Sequence, residues 1–157
     1  MSKFTSIFPA FTNKNYRIYF SSQLISLTGT WVQIVAQSWL VLQLTGSPFL
    51  IGLVAAAGTT PTLLFGLIGG VISDRFQKVK ILIWTQITSM ILVSVLSLLT
   101  LAGTINVWQI TILAFLLGCV NAIDAPTRQA FVYDLVGKHN LHSAISLNAG
   151  SFNLARI

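Results

Sequence analysis

Apolar residues in this chain neither alternate as in half-buried strands nor mark the single stripe of an amphipathic helix. They run on in blocks, over 20–44, 49–72, 81–101 and 107–123. Each block approaches or exceeds the roughly 20 residues that a helix needs to cross a hydrocarbon core of about 30 Å. A fifth block begins near Leu141 and runs to Ile157. The interruptions are of two kinds. Thr45-Gly46-Ser47-Pro48 and Ala102-Gly103-Thr104-Ile105-Asn106 are uncharged turn sequences. The stretches 73–80 and 124–140 are charged, and Pro126 in the second predicts a break in any helix there. The pattern predicts an all-α integral membrane chain. It has four complete transmembrane helices within 20–123, a charged loop over 124–140 and the start of a fifth helix over 141–157. Ahead of them Phe4, Ile7, Phe8 and Phe11 recur at helical spacing around Pro9, which predicts a segment over 1–19 that lies on the membrane surface. The first apolar block is too long to be the core of a cleavable signal peptide.

Composition strengthens this reading. Hydrophobic residues make up 54% of the sequence and charged residues 8%, with a mean hydropathy of +0.80. A soluble domain uses about 25% charged residues to cover its surface. The net charge of +6 would fit nucleic acid if the cations formed one soluble patch, but their placement has a simpler cause. Lys3, Lys14 and Arg17 precede the first block, Arg75, Lys78 and Lys80 lie between the second and third, and Arg128 and Lys138 lie between the fourth and fifth. Arg156 falls inside the fifth block, and the two intervening turns carry no charge. Cations outside the blocks are thus confined to one side, which the positive-inside tendency makes the cytoplasm, with the N-terminus on that side. The partner implied is the lipid bilayer and not nucleic acid. Tyr16, Tyr19, Trp84 and Tyr133 near inner ends, with Trp39 and Trp108 near outer ends, fit an aromatic belt at each interface. The lone Cys119 has no cysteine to pair with.

Polar residues inside the blocks bear on function. Gln23, Ser26, Thr30, Gln33 and Gln37 recur at spacings of three and four, which puts them on one helical face. Such a face turns to other helices or to water and away from lipid. It either hydrogen-bonds neighbouring helices or lines a substrate cavity, and five residues in register favour the cavity. Trp31, at mid-span, is either a packing residue or a cavity aromatic. Asn121, in the inner half of the fourth block, joins the cavity candidates. Gly66 and Gly70, with Gly69 beside them, and Ala114, Gly118 and Ala122 form small-residue stripes suited to close helix packing. Pro61 is expected to kink the second helix.

No Asp, Glu, Lys or Arg lies deep in the first four blocks, so no titratable group stands where a proton relay would need one. His139 and His142 lack neighbouring cysteines or carboxylates at ligand spacing. There is no nucleophile elbow and no phosphate-binding glycine loop. Catalysis, a metal site and a cofactor are not expected.

Three stretches resemble a known family. Gly70-Val71-Ile72-Ser73-Asp74-Arg75-Phe76-Gln77-Lys78-Val79-Lys80 resembles the loop 2–3 signature of the major facilitator superfamily, a glycine followed four residues later by Asp-Arg and then by basic residues. Gln23-Leu24-Ile25-Ser26-Leu27-Thr28-Gly29-Thr30-Trp31 with Ala36-Gln37-Ser38-Trp39-Leu40-Val41 resembles the first helix of the enterobactin-exporter-like and macrolide-efflux-like branch. So does Asp124-Ala125-Pro126-Thr127-Arg128-Gln129-Ala130-Phe131 followed by Ala144-Ile145-Ser146-Leu147-Asn148. The resemblance implies the N-terminal part of a twelve-helix carrier built from inverted three-helix repeats. It also implies proton-coupled export of a small amphipathic organic compound, such as a drug or siderophore, by alternating access across a bacterial inner membrane. The chain is then an incomplete fragment whose missing partner is the C-terminal half of the same transporter.

In that family the loop signature acts as a cytoplasmic gate. Carried over, Gly70 allows close helix approach, Asp74 caps or pairs with a neighbouring helix end, and Arg75 and Lys78 supply charge contacts. Asp74 is expected either to reach Arg128 across the cytoplasmic face in the outward-open state or to stay solvated, as Arg128 then does. The fourth block lacks the arginine that proton-coupled drug antiporters often carry there, and their glycine-proline motif would fall at or after Ile157. Proton coupling is therefore implied by the family alone. Two other readings are a small oligomeric four-helix transporter, which would need a membrane-embedded carboxylate that the first block lacks, and a non-transporting membrane scaffold.

The charge map makes a direct prediction. In a Cys119→Ser background, a thiol reagent that cannot cross the membrane should label Ser47→Cys and spare Gln77→Cys in intact cells. The opposite labelling would invert the orientation.

Overall fold

The computed structural model describes residues 14–154, and these are helical almost throughout. The elements are α1 (Lys14–Thr45), α2 (Pro48–Arg75), α3 (Lys78–Leu101) and α4 (Val107–Leu154). No strand occurs among the described residues. A helix satisfies its backbone N–H and C=O groups within itself, which is what a spanning segment in lipid requires. Four segments are long and apolar enough to span: Asn15–Thr45, Pro48–Arg75, Lys78–Leu101 and Val107–Gly137. Even the shortest, with 24 residues, extends about 36 Å at about 1.5 Å per residue. The all-α membrane architecture read from the apolar blocks is the one observed.

The uncharged turns end helices as their sequences suggest. Gly46 and Gly103 adopt φ of +63° and +68°, a region that side chains with a Cβ disfavour. Pro48 opens α2, where its missing N–H costs nothing. At the start of α4 the Gln109 N–H donates to Asn106 Oδ1 (3.0 Å) and the Asn106 N–H donates to Gln109 Oε1 (2.9 Å). This reciprocal capping box satisfies two otherwise orphaned donors.

The charged breaks behave differently from expectation. Ser73, Asp74 and Arg75 form the last turn of α2, and only Phe76 and Gln77 separate it from α3. Charge alone does not stop a helix, and this stretch contains neither glycine nor proline. The segment 124–140, expected as a loop, is helical, and Pro126 sits inside α4. Pro126 removes one backbone donor, so the Ala122 carbonyl cannot receive its usual bond from residue 126. The actual break is Gly137, at φ +68° and ψ 175°, eleven residues later. At the other end, α1 takes in residues 14–19 of the expected surface segment. Phe4, Ile7, Phe8, Phe11 and Arg156 lie outside the described residues, as do the side chains of Lys138, His139 and His142.

The chain divides into two compact units, Met1–Ala36 with Phe131–Ile157 and Gln37–Ala130. In the first, Tyr16 is wholly buried against Val132 and Val136, with Tyr19, Phe20, Leu135 and Leu147 around them. Tyr19 meets Phe131 edge-on at 5.6 Å between ring centroids. Tyr16 is therefore a core residue and not a belt residue, whereas Trp39, Trp84 and Trp108 remain exposed as a belt requires. In the second unit Val41, Val54, Ile105, Ile110 and Ala114 form an apolar cluster. Leu63 and Leu67 on α2 are more than four-fifths exposed, while Ser73, Thr85, Asp124 and Thr127 are buried. This inversion of the soluble pattern is what a lipid solvent favours.

Within the second unit α2 and α4 meet backbone to backbone. A Cβ at Gly69 would overlap the Ala122 carbonyl, and one at Gly118 would overlap the Gly58 carbonyl and crowd Pro61 Cγ. Thr62 Oγ1 donates to the Gly118 carbonyl at 3.4 Å. The Ala122 oxygen released by Pro126 is the atom that Gly69 approaches, a geometry suited to a weak Cα–H···O contact. The stripe Ala114, Gly118, Ala122 thus packs as its spacing suggests. On α2, however, Gly69 makes the approach, whereas a Cβ at Gly66 or Gly70 would enter open space among the described residues.

Gly69→Val and Gly118→Val should each lower the unfolding free energy in mixed micelles by about 1–3 kcal/mol through overpacking. Gly70→Val should change it by less than about 0.5 kcal/mol. Equal losses at 69 and 70 would contradict the α2–α4 contact.

Candidate functional site

The polar centre of the second unit is Asp124, 8% exposed on α4. Thr85 of α3 places Oγ1 2.6 Å from Asp124 Oδ1. The same hydroxyl lies 3.0 Å from the Leu82 carbonyl. A hydroxyl has one hydrogen to give, and the charge-assisted bond to the carboxylate is the stronger. On the other oxygen, Arg128 Nε donates to Asp124 Oδ2 as an i,i+4 ion pair, while Arg128 Nη2 donates to Gln86 Oε1 at 3.3 Å. The pair exists because the helix continues through Pro126. Had the chain broken there, residues 124 and 128 would not share a face. The network ties α3 to α4 through a carboxylate that accepts a hydrogen bond on each oxygen and is paired with a cation on one.

Of the two expectations for Asp74, contact with Arg128 in an outward-open state or exposure, this structure has Asp74 exposed. It lies at the end of α2 and makes no ion pair among the described residues, while Arg128 is engaged by Asp124 and Gln86. Gly70 makes no close helix approach here, as described above. Arg75 is exposed and Lys78 is half-buried as the first residue of α3.

Among the cavity candidates, Gln23, Ser26, Trp31, Gln33 and Gln37 are half-buried, whereas Thr30 and Asn121 are exposed. Thr30 Oγ1 donates to the Ser26 carbonyl at 3.0 Å, so its hydroxyl is satisfied within α1. Thr28, Thr59, Thr60 and Thr88 bond their own helices in the same way. An open groove of about 650 Å³ lies where the end of α2, the start of α3 and the middle of α4 meet. It is lined by Arg75 but by none of the cavity candidates.

The family described as transmembrane secretion effector matches residues 5–157. The chain belongs to it. This places the chain in the major facilitator superfamily that the loop signature resembled. Among curated relatives, it is 30% identical over 141 residues to the staphyloferrin A transporter of Staphylococcus aureus, covering 89% of this chain and 36% of that protein. It is also 30% identical over 134 residues to the multidrug efflux pump Tap of Mycolicibacterium fortuitum, covering 82% and 33%. Identity to the MFS-type transporter YfiS of Bacillus subtilis is 24% over 151 residues, covering 95% and 35%. The chain therefore spans about a third of the length of these relatives. No solved structure matches it.

In this transmembrane secretion effector chain, sequence reasoning missed Thr85 and Gln86, and named Gly69 only beside Gly66 and Gly70. The Asp124-x-x-x-Arg128 spacing was a usable signal, obscured by Pro126. Thr85 and Gln86 carry no signal of their own, because only packing brings α3 alongside α4.

A double-mutant cycle between Asp124→Ala and Arg128→Ala, read by unfolding in mixed micelles, should give a coupling of about 1–2 kcal/mol. The cycle between Asp74→Ala and Arg128→Ala should give about zero. Thr85→Val should cost about 1.5–3 kcal/mol, the range for a hydrogen bond to a charged group.

Proposed function

We propose that this chain is the N-terminal portion of a secondary-active carrier that exports a small amphipathic organic compound across the bacterial plasma membrane. The observation that carries the proposal is the family match over residues 5–157, together with relatives named as a staphyloferrin A transporter and a multidrug efflux pump. The uncharged face Gln23, Ser26, Thr30, Gln33 and Gln37, with Trp31 and Asn121, offers hydrogen-bonding amides and one aromatic surface to such a molecule. Neutral amides serve many substrates because each can donate and accept. Asp124 and Arg128 set the middle of α4 against α3, on the side this reading makes cytoplasmic. On this reading Asp74, Arg75 and Lys78 act on the part of the carrier that faces them as it alternates, with Gly70 giving that part room to approach. Energy comes from a proton gradient, as the family implies, with the N-terminus in the cytoplasm.

The test is accumulation of a panel of siderophores and drugs in an efflux-deficient bacterial strain that expresses the complete carrier. At least one compound should accumulate several-fold less than in the control. A protonophore should abolish the difference, and Gln33→Ala with Gln37→Ala should shift which compounds are extruded. Raised accumulation would reverse the direction. An unchanged panel would refute transport of these compounds.

A further inference from the structure

We infer that the groove between α2, α3 and α4 is a binding site for an anionic phospholipid. Its volume of about 650 Å³ falls within the roughly 300–1,000 Å³ of pockets that take small organic ligands. Its half-buried lining residues Ile72, Ile81, Val120 and Ile123 form an apolar floor beside the buried Thr85, which Asp124 engages, and the exposed Arg75 and Lys80 stand at the rim. Trp84, 68% exposed, stands one turn beyond Lys80 on the same wall.

The charge in the groove has one sign. Arg75 and Lys80 are both exposed and neither makes a side-chain hydrogen bond or ion pair among the described residues. No carboxylate lines the groove. Asp74 is exposed outside it, and Asp124 is already matched by Thr85 and Arg128. An occupant must therefore bring an anion to the rim and an apolar chain to the floor. In addition, Arg75, Lys80 and Trp84 mark the level at which a helix passes from hydrocarbon to headgroups, where tryptophan and cations gather. A phosphate diester carrying acyl chains meets all of these conditions. A free anion leaves the floor exposed, and a zwitterionic lipid brings its own cation to a groove that already holds two, Arg75 and Lys80, with no carboxylate to receive it. The inference rests on the chain being a membrane protein, and it assigns Arg75 to lipid in the conformation described here, in which the proposed gate contact is not made.

The test is native mass spectrometry of the full chain, released from detergent with equal amounts of phosphatidylglycerol and phosphatidylcholine. A cation near an anionic surface is worth about fivefold in affinity. The wild type should therefore retain one phosphatidylglycerol with at least a roughly tenfold preference. Arg75→Gln with Lys80→Gln should bring the preference close to unity, and Val120→Trp, which fills the floor and keeps both cations, should lower retention of both lipids. If the double variant does not fold, the wild type at rising ionic strength gives the same reading, because an electrostatic preference falls with salt. The inference is overturned by equal retention of the two lipids, by a preference that survives charge removal or salt, or by displacement of the lipid by soluble glycerol phosphate at equal concentration. Recovery of a lipid-free dimer in which a second copy covers the groove would also overturn it.

Discussion

The approach of α2 to α4, main chain against main chain, is the contact on which the second unit depends. Lipid tails are as apolar as leucine, so no hydrophobic force draws two spanning helices together. What remains is dispersion at short range and the few polar contacts that short range allows. Gly69 and Gly118 remove the Cβ atoms that would hold the helices apart, and Pro126 leaves the Ala122 carbonyl without its usual donor where Gly69 arrives. Residues two apart on a helix point to nearly opposite sides. Ala122 therefore faces α2 while Asp124 faces α3, and α4 is held from both flanks by different chemistry.

That arrangement bears on how a carrier with this segment would move. Arg128 is engaged by Asp124 and Gln86 within its own unit. A conformational state that recruits it elsewhere must first leave a buried carboxylate supported by Thr85 alone, which is costly in a partly dry environment. Asp74 and Arg75, by contrast, are exposed at the end of a helix, and moving them breaks no side-chain bond among the described residues. The engaged pair is suited to a structural role and the exposed pair to a changeable one.

The spanning helices were legible because lipid imposes a length and a composition that few other environments demand. Their uncharged turns were legible because glycine and proline punctuate them. Element ends at charged stretches were not. Asp74 and Arg75 look like loop residues in composition, yet nothing in their backbones prevents a final helical turn. Pro126 has the opposite character: it reads as a stop, but one lost hydrogen bond is tolerable where a neighbouring helix approaches the freed carbonyl. Of the candidate site, the Asp124–Arg128 spacing was visible in one dimension. Its partners Thr85 and Gln86, and the choice of Gly69 over Gly70, depend on which faces of two helices meet. A single sequence does not encode that separately from the fold.

The backbone contact at Gly69 and Gly118 also sets an asymmetry in how this protein can change over generations. Side chains on the open face of α2, such as Leu63 and Leu67, can be exchanged among apolar residues with little consequence for this packing, because they are more than four-fifths exposed among the described residues. The two glycines admit drift in one direction only. Any enlargement there separates α2 from α4 at once, and no adjustment of a neighbouring side chain compensates, since the obstacle is the peptide chain itself.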